Sequence, residues 1–531
     1  MALALAGAGS TGFGQITEGA KLSASDAALD DHFGHATAIF GDTAIVGAHL
    51  NDHAGVESGS AYVYENQGGS WVETDRLTAS DAQAGALFGA SVSLLGDLAL
   101  VGASASTGDF PIAGAAYLFE KQRGAWTETA KLVATKGEVG DRFGYSVSLS
   151  EGVAIVGAHW DTTAGFDAGA AYIFEDRDGA WVESVKLIGP DEFPLANFGY
   201  SVSISGDTAF VGAPVHSAVY VYEKQGGVWL ETARLTVSGV SLLGHSVSMS
   251  GKVALVGAPG AVYVFEKQGG FWVETDELAG SGSSSFGQSV ALRDDLAVVG
   301  ASEEDAEGIA GSGAAYVFRR QDGAWIETDR LVASDGAEGD RFGSSVSVFD
   351  KIAFVGAYGN DDAGADSGSA YVFDSLPTSF PAAALPIDGC GINPPGSLTV
   401  LNGLPSVGST LVLGVENPLG TQAAGSATAL LFCLAPDEGV DAGGCGTFLP
   451  GLGMAGAGAA GELLIDPASL FSVESGFPWS PASPAPFSLA IPNSGSLVDT
   501  SIYVQGFLVD ASLGAVAPIG LTEALNLQIG F

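Results

Sequence analysis

The side chains best suited to chemistry in this 531-residue chain are carboxylates in loops. Asn51-Asp52 with Glu57, Asp161 with Asp167, and Asn360-Asp361-Asp362 with Asp366 repeat one acidic pattern around a Gly. Two readings fit it. Oxygen-rich loops of this kind could take calcium weakly, and Asx-type turns would use the same residues with no metal at all. Of the seven histidines, His49 and His159 share a position just after a Gly-Ala. They either face one another across a rim or are scattered repeat variation. Cys390 and Cys445 each precede a Gly and are the disulfide candidate, which leaves Cys433 free and would require an oxidising compartment. No Cys-x-x-Cys pair, Gly-x-Ser-x-Gly elbow, phosphate-binding loop or His-Glu-x-x-His is present. The two Gly-x-Gly-x-x-Gly strings, at 7–12 and 451–456, do not open a helix after a strand. No catalytic residue and no cofactor is therefore assigned, calcium remaining as the weak candidate.

A tandem repeat must position these loops. A Phe-Gly (once Leu-Gly) opens at Phe33, Phe88, Phe143, Phe198, Leu243, Phe286 and Phe342. Thirteen residues after its Gly comes the Gly of a Val-Gly-Ala, at Gly47, Gly102, Gly157, Gly212, Gly257, Gly300 and Gly356. A spacing kept seven times while the intervening residues vary marks one copied supersecondary unit. Within it, Ala90-Ser91-Val92-Ser93-Leu94 alternates and stops at the hairpin signal Gly96-Asp97. Leu98–Val101, Ala116–Phe119 and Trp126–Leu132 then read as three more short strands. Four antiparallel strands in about 55 residues match a propeller blade. In six units a tyrosine precedes a tryptophan by nine residues, as in Tyr62 and Trp71. Packing between blades and a sugar-stacking row are the alternatives for these aromatics.

The seventh unit has Tyr371 but no tryptophan strand after it. Ile16–Leu22 matches Trp71–Leu77 and has no tyrosine strand before it. The N-terminal segment is thus expected to supply the missing strand and close a ring, where an open solenoid would need two dissimilar caps. The expected fold is all-β: a seven-bladed β-propeller over 13–375, a linker at 376–385, and a C-terminal β-sandwich over 386–531, with 1–12 a possible signal remnant.

Phe198-Gly199-Tyr200-Ser201-Val202 with Val211-Gly212-Ala213-Pro214 resembles the FG-GAP repeat, the blade unit of integrin alpha-subunit propellers and of bacterial secreted and surface proteins. The resemblance covers roughly residues 13 to 375. It implies a propeller and an extracellular or cell-surface location. The metal-binding form of the repeat carries Asp-x-Asp-x-Asp-Gly between its two motifs. Here that link is only Gly41-Asp42, Gly206-Asp207 or an equivalent. Two residues cannot surround a cation that needs six or more oxygens, so those calcium sites do not carry over.

The chain holds 61 acidic and 19 basic side chains, for a formal net charge of -42. Nucleic acid and anionic membranes are excluded as partners by that field, and no apolar run reads as a transmembrane helix. Every long loop falls at one end of the blades, where binding loops are expected. Loops are short in blades four and five, which predicts a notch where a partner or the C-terminal domain docks, or reflects random shortening. The expected function is non-catalytic extracellular binding or adhesion, with a protein or glycan ligand on the long-loop face. The alternatives are a self-associating subunit of a surface layer or filament, and a propeller hydrolase or lyase.

Overall fold

The computed structural model describes residues 16–104, 113–189, 194–280, 283–321, 323–374 and 376, together with the backbones of the C-terminal strands. The chain divides into two compact units, Met1–Leu376 and Pro377–Phe531. In the first unit, seven four-stranded antiparallel sheets form a seven-bladed β-propeller. The second blade is representative: Phe88–Leu95, Leu98–Ala103, Ala115–Gln122 and Ala125–Leu132 follow one another from inner to outer strand.

Glycine explains why the two motifs recur. Each Phe-Gly glycine has φ between +86° and +90°, a region that side chains with a Cβ rarely enter. Each Val-Gly-Ala glycine lies flat against the carbonyl of the next blade's Phe-Gly glycine, Gly47 on Gly89 being the first such pair. A Cβ at Gly47 would fall inside the van der Waals radius of that oxygen. The same carbonyls accept hydrogen bonds from inner-strand serines: Ser91 Oγ to Gly144 O at 2.8 Å, Ser146 to Gly199 at 2.9 Å, Ser201 to Gly244 at 2.7 Å. Ser246, Ser289 and Ser345 continue the series at 2.8 Å. Each such bond contributes about 0.5–1.5 kcal/mol net. The serines of the inner strands therefore join one blade to the next.

The last step of that series closes the circle, because Ser345 in blade seven donates to Gly34 in blade one. On the outer side, Ala20–Leu22 pairs antiparallel with Ser369–Phe373, in the register Ala20 to Val372, Lys21 to Tyr371 and Leu22 to Ala370. Lys21 thus stands opposite Tyr371 as Arg76 stands opposite Tyr62. The paired strand is shorter than the matched segment 16–22, and Ile16 packs at the edge of the blade-seven core. The N-terminal segment completes the last blade, as its sequence anticipates.

The aromatic pairs are packing elements. Tyr62, Tyr172, Tyr220, Tyr316 and Tyr371 are essentially inaccessible, and five of the tryptophans are at most 9% exposed. Trp71 meets Phe354 edge-on at 4.8 Å, and Trp272 meets Phe210 in the same way at 4.8 Å. In both pairs the phenylalanine belongs to the second strand of the preceding blade. No row of aromatic faces is left open for sugars along these strands.

In the C-terminal unit the strands Ala383–Ile387, Ile519–Gln528, Ser501–Val509, Ala427–Cys433 and Leu470–Ser475 form a five-stranded sheet. Leu398–Asn402, Thr410–Val415 and Ala485–Ala490 form a three-stranded one, and Thr447–Pro450 pairs with Ala460–Leu463. The side chains on which a sandwich would rest lie outside the described residues, as do Cys390 and Cys445. Cys433 ends the strand Ala427–Cys433. Among the described residues, no helix is long and apolar enough to cross a membrane.

Leu22 is 5% exposed and belongs to the cluster that joins blade seven to blade one. Leu22→Ala should cost about 2–5 kcal/mol in urea unfolding, as for a leucine inside any blade. An unchanged midpoint would show that ring closure does not depend on this strand.

Candidate functional site

The inner strands approach the propeller axis at the end that carries the long loops. The residue after each Phe-Gly is set there by the glycine's turn: His35, Ala90, Tyr145, Tyr200, His245, Gln288 and Ser344. These seven side chains line one axial cavity of about 490 Å³, in the range of small-molecule sites. Every blade contributes one.

Polar groups around the cavity interact in a partial ring. The His35 and His49 rings lie 3.9 Å apart, and the Tyr145 ring lies 4.0 Å from His159 and 5.1 Å from Tyr200. The Tyr200 hydroxyl sits 3.3 Å from Nε2 of His245. Ser302 Oγ donates to Oε1 of Gln288 at 2.6 Å. The Arg142 guanidinium covers the Trp160 ring at 4.1 Å, and Arg341 donates to the Tyr358 hydroxyl.

Burial keeps these rings neutral. It lowers His35 to about 4, with the nearby His32 adding to the effect, and lowers His159 to about 3, with Arg142 adding. His49 and His245 are also lowered by burial. The same desolvation raises the Tyr145 phenol, with Tyr200 reinforcing it. Nδ1 of His35, His49, His159 and His245 is buried and has no hydrogen-bond partner among the described residues. The lining is thus rich in uncharged donors, acceptors and aromatic faces.

The sequence motifs do not by themselves point to this site. The available signal is the residue after Phe-Gly, which varies freely between two nearly constant neighbours. His49 and His159 both stand next to the axial ring, each against the axial side chain of its own blade.

The acidic loops have a different use. Asp52 Oδ1 accepts from the Glu57 backbone N–H at 2.8 Å, and Asp361 Oδ1 accepts from Asp366 N–H at 2.8 Å. Glu57, Asp167 and Asp366 occupy left-handed turn positions, with φ of +52°, +50° and +51°. Asp362 pairs with Lys21. Asp161 is fully buried and accepts from Lys186 Nζ and the Tyr172 hydroxyl, both at 2.7 Å. The same arrangement of tyrosine, carboxylate and cation recurs as Tyr117, Asp81 and Lys131, as Tyr371, Asp335 and Lys21, and as Tyr316, Glu304 and Arg330. Among the described residues, no group of three or more His, Cys, Asp or Glu side chains is placed to hold a metal ion.

The FG-GAP repeat model matches residues 16–64, 71–119, 126–174, 181–226, 276–318 and 325–373. No curated protein matches the chain. Similar solved structures include a functionally unknown protein from Desulfotomaculum acetoxidans DSM 771, at 13% identity and a TM-score of 0.40. A protein from Lactobacillus plantarum, at 13% identity, has a TM-score of 0.39. Each alignment covers 57% of this chain and 86% of the other.

The depressed histidines make a pH prediction. An unfolded imidazole titrates near 6.5, whereas His159 in the ring titrates at about 3. Between those values the unfolded chain binds a proton that the folded chain refuses, so stability falls as pH drops below about 6.5 and returns as pH rises. Blades two and six carry Ser104 and Ser302 at this position, so His159→Ser is the matched variant. Its unfolding free energy should lose less on acidification than the wild type's, by on the order of 3 kcal/mol between pH 7 and 4. Parallel pH profiles for the two proteins would contradict the assignment.

Proposed function

The chain belongs to the FG-GAP repeat family, and on that premise we propose that it is a non-catalytic extracellular binding protein that engages a protein or glycan through its long-loop face. The carrying observation is a preorganised rim that exposes apolar side chains. Loops of neighbouring blades are laced by backbone bonds, such as Leu87 N–H to Glu57 O at 3.1 Å and Asp30 N–H to Ala365 O at 2.9 Å. Rigid loops lose little entropy on binding. From them project Leu29, Val56, Val139, Phe166 and Leu195, each at least half exposed, with Phe166 at 69%. An exposed apolar side chain held on a rigid loop can serve as an anchor for a partner.

An array of immobilised matrix proteins and glycans tests this reading. Saturable binding is expected, with the ligand recovered intact, and Phe166→Ser should weaken it about tenfold without lowering Tm. Cleavage of the captured glycan, or no binding to either class, would overturn it.

A second reading, self-association, has its own observation. The residue before the outer-strand tryptophan is Ser or Ala in blades one, two, three and six but Val228 and Phe271 in blades four and five. Phe271 is 76% exposed and Val228 58%, with Leu230 and Val273 exposed beside them. Under this reading light scattering gives an oligomer that Phe271→Ser with Val228→Ser returns to monomer. A monomer at every concentration would exclude it.

A further inference from the structure

We infer that the axial cavity binds a saccharide carrying a single carboxylate, with Arg142 receiving the acid group and the surrounding imidazoles and phenols receiving the hydroxyls. The inference rests on the reading of the chain as a binding protein but concerns a different part of it from the rim loops.

Arg142 is the first reason. In a chain with 61 acidic and 19 basic side chains, many cations find a carboxylate. Lys21, Arg76, Lys131, Lys186 and Arg330 all do so in the tyrosine-centred arrangements. Arg142 lines the cavity, half-buried, and no carboxylate lies within ion-pair distance of it among the described residues. Its Nε is buried and has no hydrogen-bond partner. Stacking on Trp160 fixes the guanidinium plane and leaves its terminal Nη groups to receive a planar, two-oxygen anion. Desolvation without a counter-charge is unfavourable for a cation, and a bound carboxylate relieves it.

The charge of the remaining lining sets the ligand's charge. Glu303 also lines the cavity, and Arg341 is already engaged with Tyr358. A dianionic phosphate would face one free guanidinium and one carboxylate, a poor electrostatic match. A monoanion fits.

The neutral lining sets the rest of the ligand. The neutral imidazoles of His35, His49 and His245 line the cavity, together with the phenols of Tyr145 and Tyr200, which are hydrogen-bonded to each other. A neutral imidazole offers one donor and one acceptor nitrogen and a phenol can take either role, which matches the hydroxyls of an uncharged ring. A pyranose supplies hydroxyls around its edge and C–H faces for the aromatic rings. The cavity's volume of about 490 Å³ accommodates it.

The test uses the full chain and the methyl glycosides of glucuronic acid, galacturonic acid and glucose, followed by tryptophan fluorescence and ligand-observed NMR. At least one uronate is expected to bind saturably, and the glucoside at least tenfold more weakly. Arg142→Gln should weaken uronate binding tenfold or more and narrow the gap to the glucoside. Ser344→Tyr is the second variant: tyrosine already occupies the equivalent position in blades three and four, so the backbone tolerates it, and it fills the cavity from the far side. It should abolish uronate binding with Tm and array binding by the rim retained. Equal affinity for uronate and glucoside, unchanged affinity in folded Arg142→Gln, or no saturable uronate binding would each overturn the inference. Loss of rim binding in Phe166→Ser with uronate binding intact concerns the rim alone, so the two readings fail separately.

Discussion

The propeller depends on a glycine-to-glycine contact between blades. Where the second strand of one blade ends, its Val-Gly-Ala glycine presses on the carbonyl of the next blade's Phe-Gly glycine, and a serine hydroxyl bonds to the same oxygen in six of the seven cases. Neither glycine can gain a Cβ without pushing the blades apart, and the second also needs positive φ. One local constraint, repeated seven times, sets how closely adjacent blades approach near the axis. The outer strands, which splay apart, require larger spacers. Trp71 against Phe354 and Trp272 against Phe210 show what fills the widening gap. Small residues inside and large ones outside make each blade a wedge.

The same contact creates the axial site. A chain that turns sharply at Phe-Gly delivers the following side chain to the axis whatever its identity, so the position can vary without disturbing the ring. The fold then imposes its environment on whatever residue stands there. His35 and His245 lose water and become neutral bases, and Tyr145 becomes a phenol that resists ionisation. Invariant packing positions and free axial positions sit one residue apart. This separates stability from recognition in a way that a site built on the blade strands themselves would not.

Most of the propeller was legible in the sequence because its constraints are periodic. Seven Phe-Gly and Val-Gly-Ala pairs gave the blades, and the lone Ile16–Leu22 segment with the incomplete seventh unit gave the closure. The axial site was hidden for the opposite reason: its residues share no type, and only the three-dimensional ring brings His35, Tyr200 and Ser344 to one cavity. The acidic loops differ among themselves in a way the sequence does not display. Asp161 looks like Asp361 in a string of loop carboxylates, yet the first is fully buried against Lys186 while Asp361 closes an exposed turn. Loop spacing alone does not separate a carboxylate that faces a cation across a strand from one that caps the backbone beside it.

The placement of Asp161 follows from a charge count within each blade. In blades one, two and seven the tyrosine hydroxyl bonds an aspartate four residues after the leucine that ends the preceding outer strand: Asp26 after Leu22, Asp81 after Leu77, Asp335 after Leu331. Blade three has Lys136 at that position and blade six has Gly282, so both lack the anion. In these two blades the carboxylate comes from the other loop, four residues after the Val-Gly-Ala glycine, as Asp161 and Glu304. Blades one and seven carry Asn51 and Asn360 there, and each amide donates to a buried aspartate, Asp31 or Asp340, at 3.1 Å. In these five blades one anion serves each tyrosine and cation, and its source moves between loops; blade five instead carries Glu277 at the cation position. The exchange has a visible cost in blade three. With an aspartate in place of the amide, Asp141 loses that donor and its Oδ1 has no partner among the described residues; burial raises its carboxyl as it raises those of Asp31 and Asp340, and here Asp161 adds to the effect. A second carboxylate beside it is tolerable because Lys186 neutralises Asp161.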